Sequence, residues 1–414
     1  MLIQFNFKNY KSFRDEATLD LTMVSDVKDF SERVVSVGNE KLLTIASIYG
    51  ANASGKSNVY GAFKYMTNYV KYSFGFGDDD DFKEKRMPTP FLFDSISEKG
   101  ESEFEVYFII SDGSQYKCYN YGFCINHEGI TEEWLNVKNK TAEEYDTVFY
   151  RSETDKLDLS GLMEDRRENI RLSLEKETLI ISLGAKLKIK ECKIVRDWFA
   201  DNRFTDFANT AENIFLFRRI PKNFGEDKSV QKKVIDYFAT FDNHIKDFKT
   251  KRVQSFDGDN ERSYEINSVH NMIDSDTSAE IPFGEESAGT LKMFALYPDL
   301  QEVLQKGSVF FIDELNARLH PLLVRNFLLT FLNPNINTNH AQLIFTTHDT
   351  WQMQRRFLRK DEVWFTEKDE KGLSSLYSLA DFKDSLDGDF EANYLYGKYG
   401  AIPSLSSILK EDGE

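Results

Sequence analysis

The sequence has 414 residues, of which 41% are hydrophobic and 29% are charged, which is typical of a globular protein with one large domain or two lobes. It holds no run of about 18 apolar residues and its net charge is −17, so we expect neither a membrane span nor a broad nucleic-acid footprint. Three cysteines without metal-like spacing and an N-terminus without a signal-like apolar region predict a reduced, cytoplasmic protein.

The N-terminal part predicts a strand pair followed by a strand and a helix. Residues 1–25 alternate like two short strands with a turn at 11–14, and residues 42–49 are an apolar run that ends at a glycine. Apolar residues then recur at helical spacing, at Val59, Phe63, Met66 and Val70. The acidic stretch around Asp78–Asp81 is expected to be an exposed loop.

The middle of the chain changes from strands to helices and back. Residues 91–149 are rich in alternating aromatic and β-branched residues, with hairpin turns predicted at Asp112-Gly113 and Glu128-Gly129. Residues 155–240 read as helical, and residues 245–285 as short strands. We therefore divide the chain into a first lobe (1–154), a helical and β insertion (155–280) and a second lobe (281–414).

From residue 287 onward helices and strands alternate, which predicts a parallel α/β core. The pattern indicates a helix to about residue 305, a strand at 308–313, a helix at 319–331, a strand at 342–346, and then a further helix and strand.

The first chemical motif is the segment Gly50-Ala51-Asn52-Ala53-Ser54-Gly55-Lys56-Ser57, which matches GxxxxGK[ST] between a predicted strand and a predicted helix. Its glycines allow backbone N–H groups to surround phosphates at the positive end of the helix. Lys56 is expected to reach the β- and γ-phosphates of ATP, and Ser57 to bind Mg²⁺. The nucleotide-binding candidates here are Gly50, Asn52, Ala53, Ser54, Gly55, Lys56, Ser57 and Asn58.

The second motif is an apolar strand, Val309–Ile312, that ends in Asp313 and Glu314. A buried parallel strand delivers such carboxylates to the edge of the sheet where ligands bind. Asp313 would hold Mg²⁺ and Glu314 would act as general base toward water. A strand that simply ends in a polar turn is the alternative explanation.

Two further polar groups follow the same logic. Ser287 and Gly289 open a helix, which could be an ordinary N-cap or a second anion site for the phosphate of another subunit. His348 ends the apolar strand that follows the Asp-Glu pair, where it could donate a hydrogen bond to the γ-phosphate.

The order of these motifs resembles the ATPase heads of ABC and SMC proteins, with Walker A at 50–57, the signature motif at 287–290, Walker B at 309–314 and a switch histidine at His348. The resemblance implies a P-loop NTPase fold of ABC/SMC-head type, with a mixed and antiparallel sheet lobe and an inserted helical lobe. It also implies a homo-oligomer, at least a head-to-head dimer, in which Lys56, Glu314 and His348 act on ATP that the Ser287 helix of a second copy covers.

Finer similarities concern the two ends of the chain. Residues 8–13 (KNYKSF) are similar to the first strand of RecF-, OLD- and SMC-like heads, which implies that Lys11 or Arg14 lies near the nucleotide. Residues 313–321 (DELNARLHP) and 394–403 (YLYGKYGAIP) resemble the RloA group of bacterial ATPases, which also includes AriA of the PARIS system. Asn316 and Arg318 depart from the usual D-loop, and residues 87–93 contain no glutamine for a Q-loop.

The RloA-like resemblance implies a sensor ATPase of anti-phage defence. Such proteins control a separately encoded nuclease or toxin, and the trigger would be a phage protein or nucleic acid. The alternative is a RecF- or SMC-like head for DNA repair or tethering, which predicts a basic DNA-facing surface at Arg218-Arg219, Lys232-Lys233, 249–252 or 355–360. A self-contained OLD-type nuclease is disfavoured because only about 66 residues follow His348. A scaffold without turnover is disfavoured by the complete set of site residues.

Overall fold

The computed structural model of the protein describes residues 1–76, 86–112, 115–139, 144–152, 156–209, 219–241, 244–253, 263–382 and 389–403. The predicted acidic loop at Asp78–Asp81 lies outside these residues, as do Gly113 of one predicted hairpin turn and Arg218 of one basic pair. Within the described part of the chain, no helix has both the length and the apolar character needed to cross a bilayer.

The N-terminal part contains the predicted strand pair, strand and helix. Their bounds are Leu2–Lys8 (β1), Ala17–Asp20 (β2), Val35–Val37 (β3), Glu40–Leu42 (β4), Ile45–Tyr49 (β5) and Lys56–Tyr72 (α1). β1 and β2 pair antiparallel around the predicted turn. The four apolar residues at helical spacing are all buried on α1, which confirms the predicted helix.

The predicted antiparallel strands are confirmed and join β1 and β2 in a seven-stranded sheet. The new strands are Ser102–Asp112 (β6), Gln115–Asn126 (β7), Gly129–Asn139 (β8), Asp146–Ser152 (β9) and Leu157–Asp158 (β10). The strand order is β10-β9-β8-β7-β6-β1-β2, and each pair is antiparallel. The Glu128-Gly129 turn joins β7 and β8 as predicted, and Gly129 has a φ of 131° that favours glycine.

The next segment is largely helical, as predicted, but it also supplies a strand that the sequence pattern did not indicate. The helices are Glu164–Ser173 (α2), Ile180–Lys186 (α3), Lys190–Asp201 (α4) and Lys228–Phe238 (α5). Besides the two-residue β10, which also lies in the segment predicted to be helical, the unpredicted strand is Arg203–Asp206 (β11). It has only four residues, and its parallel partner Phe310–Asp313 lies about a hundred positions further along the chain, so no local periodicity reveals it.

The remaining elements follow the predicted pattern with one difference. They are Ile245–Val253 (β12), Ser263–Asn271 (β13), Ser278–Pro282 (β14), Ala288–Lys306 (α6), Val309–Asp313 (β15), Pro321–Leu332 (α7), Gln342–Thr346 (β16), Val363–Lys368 (β17), Ser374–Ser378 (β18) and Phe390–Leu395 (α8). The helix expected after β16 is wrong, because short 3₁₀ turns occupy that segment. Its buried side chains bond to carbonyl oxygens of other segments, as Gln352 does to Pro321 and Arg359 to Val27.

A six-stranded sheet forms the core and positions the chemical motifs. Its order is β11-β15-β16-β5-β17-β18, with parallel pairing throughout except for β18 at one edge. The predicted parallel core is therefore confirmed. Because β15, β16 and β5 are neighbours and run in the same direction, the residues that follow them meet at one edge of the sheet.

Alternating residues of this sheet enter two different hydrophobic clusters. Ile48, Phe311 and Ile344 face α1 and the seven-stranded sheet, whereas Tyr49 and Phe345 face α6 and α7. Helix α1 is thus packed between the two large sheets. Helices α3 and α4 contribute to the same cluster as α1, and β11 lies in the core sheet. The division at residues 154 and 280 stays a prediction.

Candidate nucleotide site

The loop between β5 and α1 requires glycine at two positions. Gly50 has a φ of 151°, and a Cβ there would lie 2.3 Å from the carbonyl oxygen of Thr366. Gly55 has a φ of 120°, and its Cβ would lie 2.8 Å from the Ser374 hydroxyl. Helix α1 then begins at Lys56 without a side-chain cap, and the Asn58 N–H donates to the Gly55 carbonyl oxygen over 2.9 Å. The N–H groups of Lys56 and Ser57 are therefore the ones that the first turn offers to an anion.

Hydroxyl and amide groups anchor this loop to the neighbouring hairpin and N-terminal turn. The Ser54 hydroxyl lies 2.6 Å from that of Thr366, and Ser374 donates to the Ser54 carbonyl over 2.7 Å. The Asn58 amide donates to the hydroxyl of Ser12. The side chains of Ser54 and Asn58 are therefore engaged within the protein, and the backbone N–H of Ser54 donates to the carbonyl oxygen of Ala51 over 3.2 Å. Asn52, Ala53 and Ser57 are exposed beside it.

The Lys56 ammonium is buried within its own loop. Its Nζ donates to the carbonyl oxygens of Gly50 and Ala51 over 3.0 and 3.1 Å, and lies 3.4 Å from Nδ1 of His348. Burial lowers the pKa of Lys56, and the charges of Glu314 and Asp313 oppose that change. A triphosphate would supply the counter-charge that this ammonium lacks in direct contact.

Asp313 lies at the end of β15 with hydroxyl groups on both sides. Its Oδ1 accepts from the Thr346 hydroxyl over 2.5 Å, and its carboxylate is also hydrogen-bonded to the hydroxyl of Ser57. Burial raises the pKa of Asp313, and the two hydroxyls counteract that rise. This carboxylate–hydroxyl pair fits Mg²⁺, which prefers oxygen ligands and takes the rest from water and phosphates. Among the described residues, no cluster of three acidic, histidine or cysteine side chains could hold a metal alone.

Glu314 and His348 form the next part of the site. Glu314 has a left-handed backbone with a φ of 54°, and its N–H donates to the Thr346 hydroxyl over 2.8 Å. Its Oε1 lies 2.9 Å from Nε2 of His348. The Nε2–H tautomer satisfies both neighbours of the ring, since Nδ1 then accepts from Lys56. Lys56, His348 and Glu314 therefore form a continuous chain of polar contacts.

The charges around Glu314 keep it ionised. Burial by itself would raise the pKa of Glu314, but the hydrogen bond from His348 and the nearby lysine charges lower it below its ordinary value. A carboxylate at this position can accept a hydrogen bond from a water molecule near neutral pH.

The turn after Glu314 contains Asn316 and Arg318, the two residues that depart from the usual motif. The Asn316 amide oxygen accepts from the Thr347 hydroxyl over 2.8 Å and faces the His348 N–H at 3.4 Å. Asn316 thus joins the turn after β15 to the end of β16 within one chain. Arg318 has a φ of 59° and is exposed.

Lys11 and Arg14 lie on the turn between β1 and β2, next to Ser12. The Lys11 ammonium lies near Gly61 of α1, where a Cβ would be 3.5 Å from its Nζ, and Arg14 pairs with Asp15 at 3.0 Å. The turn therefore borders the phosphate loop, and Lys11 points toward α1 while Arg14 is held by an acidic neighbour.

Ser287 and Gly289 lie at the start of α6, where Ser287 is exposed and a Cβ on Gly289 would lie 3.9 Å from the carbonyl oxygen of Arg318. The Ser287 hydroxyl caps the helix by accepting from the Thr290 N–H over 3.1 Å, so the predicted N-cap is present. Ser287 and Thr290 also line a cavity of about 510 Å³ with Thr240 and His244. Within the described ranges, no hydrogen bond connects residues 287–290 to the phosphate loop.

Two residues at this edge were not identified from the sequence. Thr346 bridges Asp313 and Glu314, and its signal was only a polar residue at the end of an apolar strand. Lys292 is buried on α6, where its Nζ donates to the carbonyl oxygen of Ala317. A lysine within the apolar run of α6 is the signal that could have indicated it.

A parallel sheet that brings a glycine-lysine phosphate loop, an Asp-Glu pair and a histidine to one edge defines a P-loop nucleoside triphosphatase. The chain belongs to the family described as "AAA domain, putative AbiEii toxin, Type IV TA system", whose model matches residues 45–350. This membership confirms the predicted AAA-type P-loop ATPase class, in which ATP and Mg²⁺ are the usual ligands. No curated protein sequence matches the chain. The resemblance to the RloA and AriA group stays a prediction.

Proposed function

We propose that this protein is a Mg²⁺-dependent ATPase that works as a nucleotide-gated oligomeric switch. Its catalytic site would be shared between two copies, and its state would control a separately encoded nuclease or toxin in anti-phage defence. The observation that carries the proposal is the chain of contacts from Lys56 through His348 to Glu314, beside the uncapped first turn of α1.

The lack of a hydrogen bond from residues 287–290 to these site residues, within the described part of the chain, supports a shared site. Lys56, Asp313, Glu314 and His348 meet at one sheet edge, whereas Ser287 is exposed at the start of α6. A second copy, related by a two-fold axis, could place its own Ser287 helix end over the phosphates. Two equivalent sites would then form together, and ATP would favour the joined state by contacting both copies.

Each group at the edge has a defined task. Mg²⁺, held by Ser57 and Asp313, would neutralise phosphate charge when bound. Lys56 would turn from the loop carbonyls to the phosphate oxygens. Glu314, kept ionised by its surroundings, would orient water and accept its proton, while His348 would donate a hydrogen bond to the phosphate.

Turnover is tested first. Purified wild-type protein should hydrolyse ATP in a Mg²⁺-dependent way, and Glu314→Gln should lower kcat by at least ~100-fold while nucleotide binding persists. Wild-type and Glu314→Gln rates that both equal the buffer background would refute the ATPase.

The shared site is tested by mixing two inactive variants. Gly289→Glu places a carboxylate at the α6 N-terminus, where a Cβ meets other atoms only at 3.7 Å or more, so the protomer can accommodate it. The new charge should repel a phosphate from another copy, and Gly289→Ala serves as the steric control.

Mixed dimers of Glu314→Gln and Gly289→Glu contain one intact site if the sites are shared. The mixture should recover about a quarter of wild-type activity, because half of the dimers are mixed and each has one of two sites intact. No recovery from a mixture shown to exchange subunits would mean that each site lies within one protomer.

The defence role rests on the sequence resemblance and on the family description, which names a toxin–antitoxin system. The test is to express the chain with the product of its neighbouring gene and measure phage plating. Protection should need both genes and should be lost with Lys56→Ala. Protection by the ATPase gene alone, or none with both genes across a diverse phage panel, would contradict the proposed partner.

Pairing of several basic residues supports this function over the alternative of a DNA-tethering head. Arg219 pairs with Asp299 at 3.0 Å, Lys249 pairs with Glu280, and Arg359 is fully buried. Fluorescence anisotropy with labelled duplex DNA at several salt concentrations checks this point. Tight binding that weakens steeply with salt would favour the DNA-tethering alternative.

A further inference from the structure

Lys292 is an unusual residue in helix α6 because its ammonium group is buried. The residue is 4% exposed and lies among the apolar neighbours Met293, Phe294 and Ala295. A buried ammonium is costly unless other groups compensate its charge. Its contacts are therefore informative about what the helix does.

The two direct contacts of Lys292 lie at the ends of two neighbouring strands. Its Nζ donates to the carbonyl oxygen of Ala317 in the turn after β15 and lies 3.3 Å from the centroid of the Phe207 ring. Phe207 follows β11, and its N–H donates to the carbonyl oxygen of Asp313 over 3.1 Å. One side chain thus connects α6 to the turn after the acid-bearing strand β15 and to the residue that follows its neighbour β11.

The turn that Lys292 contacts has a constrained backbone. Glu314 and Arg318 both have left-handed φ values, 54° and 59°, on either side of Ala317. Residues with side chains rarely adopt this conformation unless their surroundings hold them in it. The position of the Ala317 carbonyl therefore bears on the position of the Glu314 carboxylate.

The charges around the ammonium agree with this geometry. Burial and the positive charge of Arg318 lower the pKa of Lys292 to about 7, and the negative charge of Glu314 opposes that change. The charges of Glu314 and Arg318 therefore act on Lys292, which donates a hydrogen bond to the turn between them.

We propose that Lys292 is a positioning residue that couples the Ser287 end of α6 to the catalytic turn 314–318 of the same chain. The proposal rests on the proposed shared site, in which that helix end contacts the nucleotide of a second copy. Lys292 lies five residues after Ser287 on one rigid helix, so a displacement of the helix end moves its ammonium. Contact of the helix end with the nucleotide at one site would in this way position Glu314 at the other site.

The experiment compares Lys292→Met, which keeps length without charge, with Lys292→Arg, which keeps charge and donors. Lys306→Met is the matched control, since Lys306 ends the same helix in exposed pairs with Asp201 and Glu302. The readouts are kcat, KM, the Hill coefficient for ATP and the Kd for a fluorescent ATP analogue.

We expect Lys292→Met to lower kcat by about tenfold, to bring the Hill coefficient from above one to about one, and to leave the Kd nearly unchanged. Lys292→Arg should retain most of the wild-type kcat and Hill coefficient, and Lys306→Met should resemble wild type. Phe207→Leu removes the ring but keeps the hydrogen bond from Lys292 to Ala317, so it should show a smaller loss of kcat and of the Hill coefficient. This variant replaces Lys292→Met in the test if Lys292→Met does not fold.

The proposal fails if Lys292→Met and Lys306→Met have equal kcat and Hill coefficients. It also fails if the losses of kcat and of the Hill coefficient among the variants follow their thermal stability alone and Lys292→Arg is as impaired as Lys292→Met. Its failure can be told apart from failure of the proposed function, because wild type against Glu314→Gln measures turnover and the mixing experiment measures site sharing, both without any change at Lys292.

Discussion

Replacing Thr346 by valine tests how strongly the two acidic residues depend on one hydroxyl group. Thr346 is fully buried, donates to Asp313 over 2.5 Å and accepts from the Glu314 N–H over 2.8 Å. Valine keeps the shape of the side chain and removes both hydrogen bonds. A buried carboxylate loses a donor and a buried N–H loses its acceptor, which together should cost about 3 kcal/mol of unfolding free energy.

The same change should also lower kcat. Without the bond to Thr346 the Glu314 backbone is less constrained in its left-handed conformation, and a misplacement of the general base by about 1 Å costs about 100-fold in rate. ATP binding should change little, because the phosphate loop does not contact this hydroxyl directly. Urea unfolding and steady-state ATPase assays measure the two effects.

The neighbouring strand β11 offers a matched control. Thr205 is also buried in the core sheet, but its hydroxyl has no hydrogen-bond partner among the described residues. Thr205→Val should therefore be neutral or stabilising, and Thr346→Ser should retain most activity. Equal destabilisation by both valine substitutions, or an unchanged kcat in Thr346→Val, would refute the assigned role of Thr346.

Other predictions concern pH, backbone geometry and metal. Burial raises the pKa of Glu362 to about 8, so the folded state keeps a proton that the unfolded chain has lost, and stability should fall as pH rises from about 4.5 to about 8. Urea unfolding at several pH values should show this fall in wild type and a weaker one in Glu362→Gln; identical profiles would contradict it. Gly50→Ala should abolish nucleotide binding in a fluorescent-nucleotide titration, because its Cβ would clash with Thr366, whereas Gly284→Ala, with nothing within 4 Å, should bind normally. Ser57→Ala should raise the Mg²⁺ concentration for half-maximal ATPase about tenfold by removing one ligand, and an unchanged Mg²⁺ dependence would exclude Ser57 as a ligand.

Several features of this protein depend on local spacing and can be predicted from the chain alone. The phosphate loop, the apolar strands that end in Asp313 and His348, and the helical spacing on α1 are patterns within a few residues, and each predicts its own element. Parallel strand direction then places the ends of β5, β15 and β16 at one edge, so the main site residues could be anticipated together.

The contacts that tune this site depend instead on how distant segments pack together. Strand β11 is recognisable only through its pairing with β15, and the hydroxyls of Ser54 and Thr366 meet across 312 positions of sequence. The bridge from Thr346 to the acid pair and the reach of Lys292 to Ala317 likewise join residues on different elements. A hydrogen bond between distant segments leaves no periodic signal in the chain, because it depends on how the sheets and helices pack rather than on local propensity.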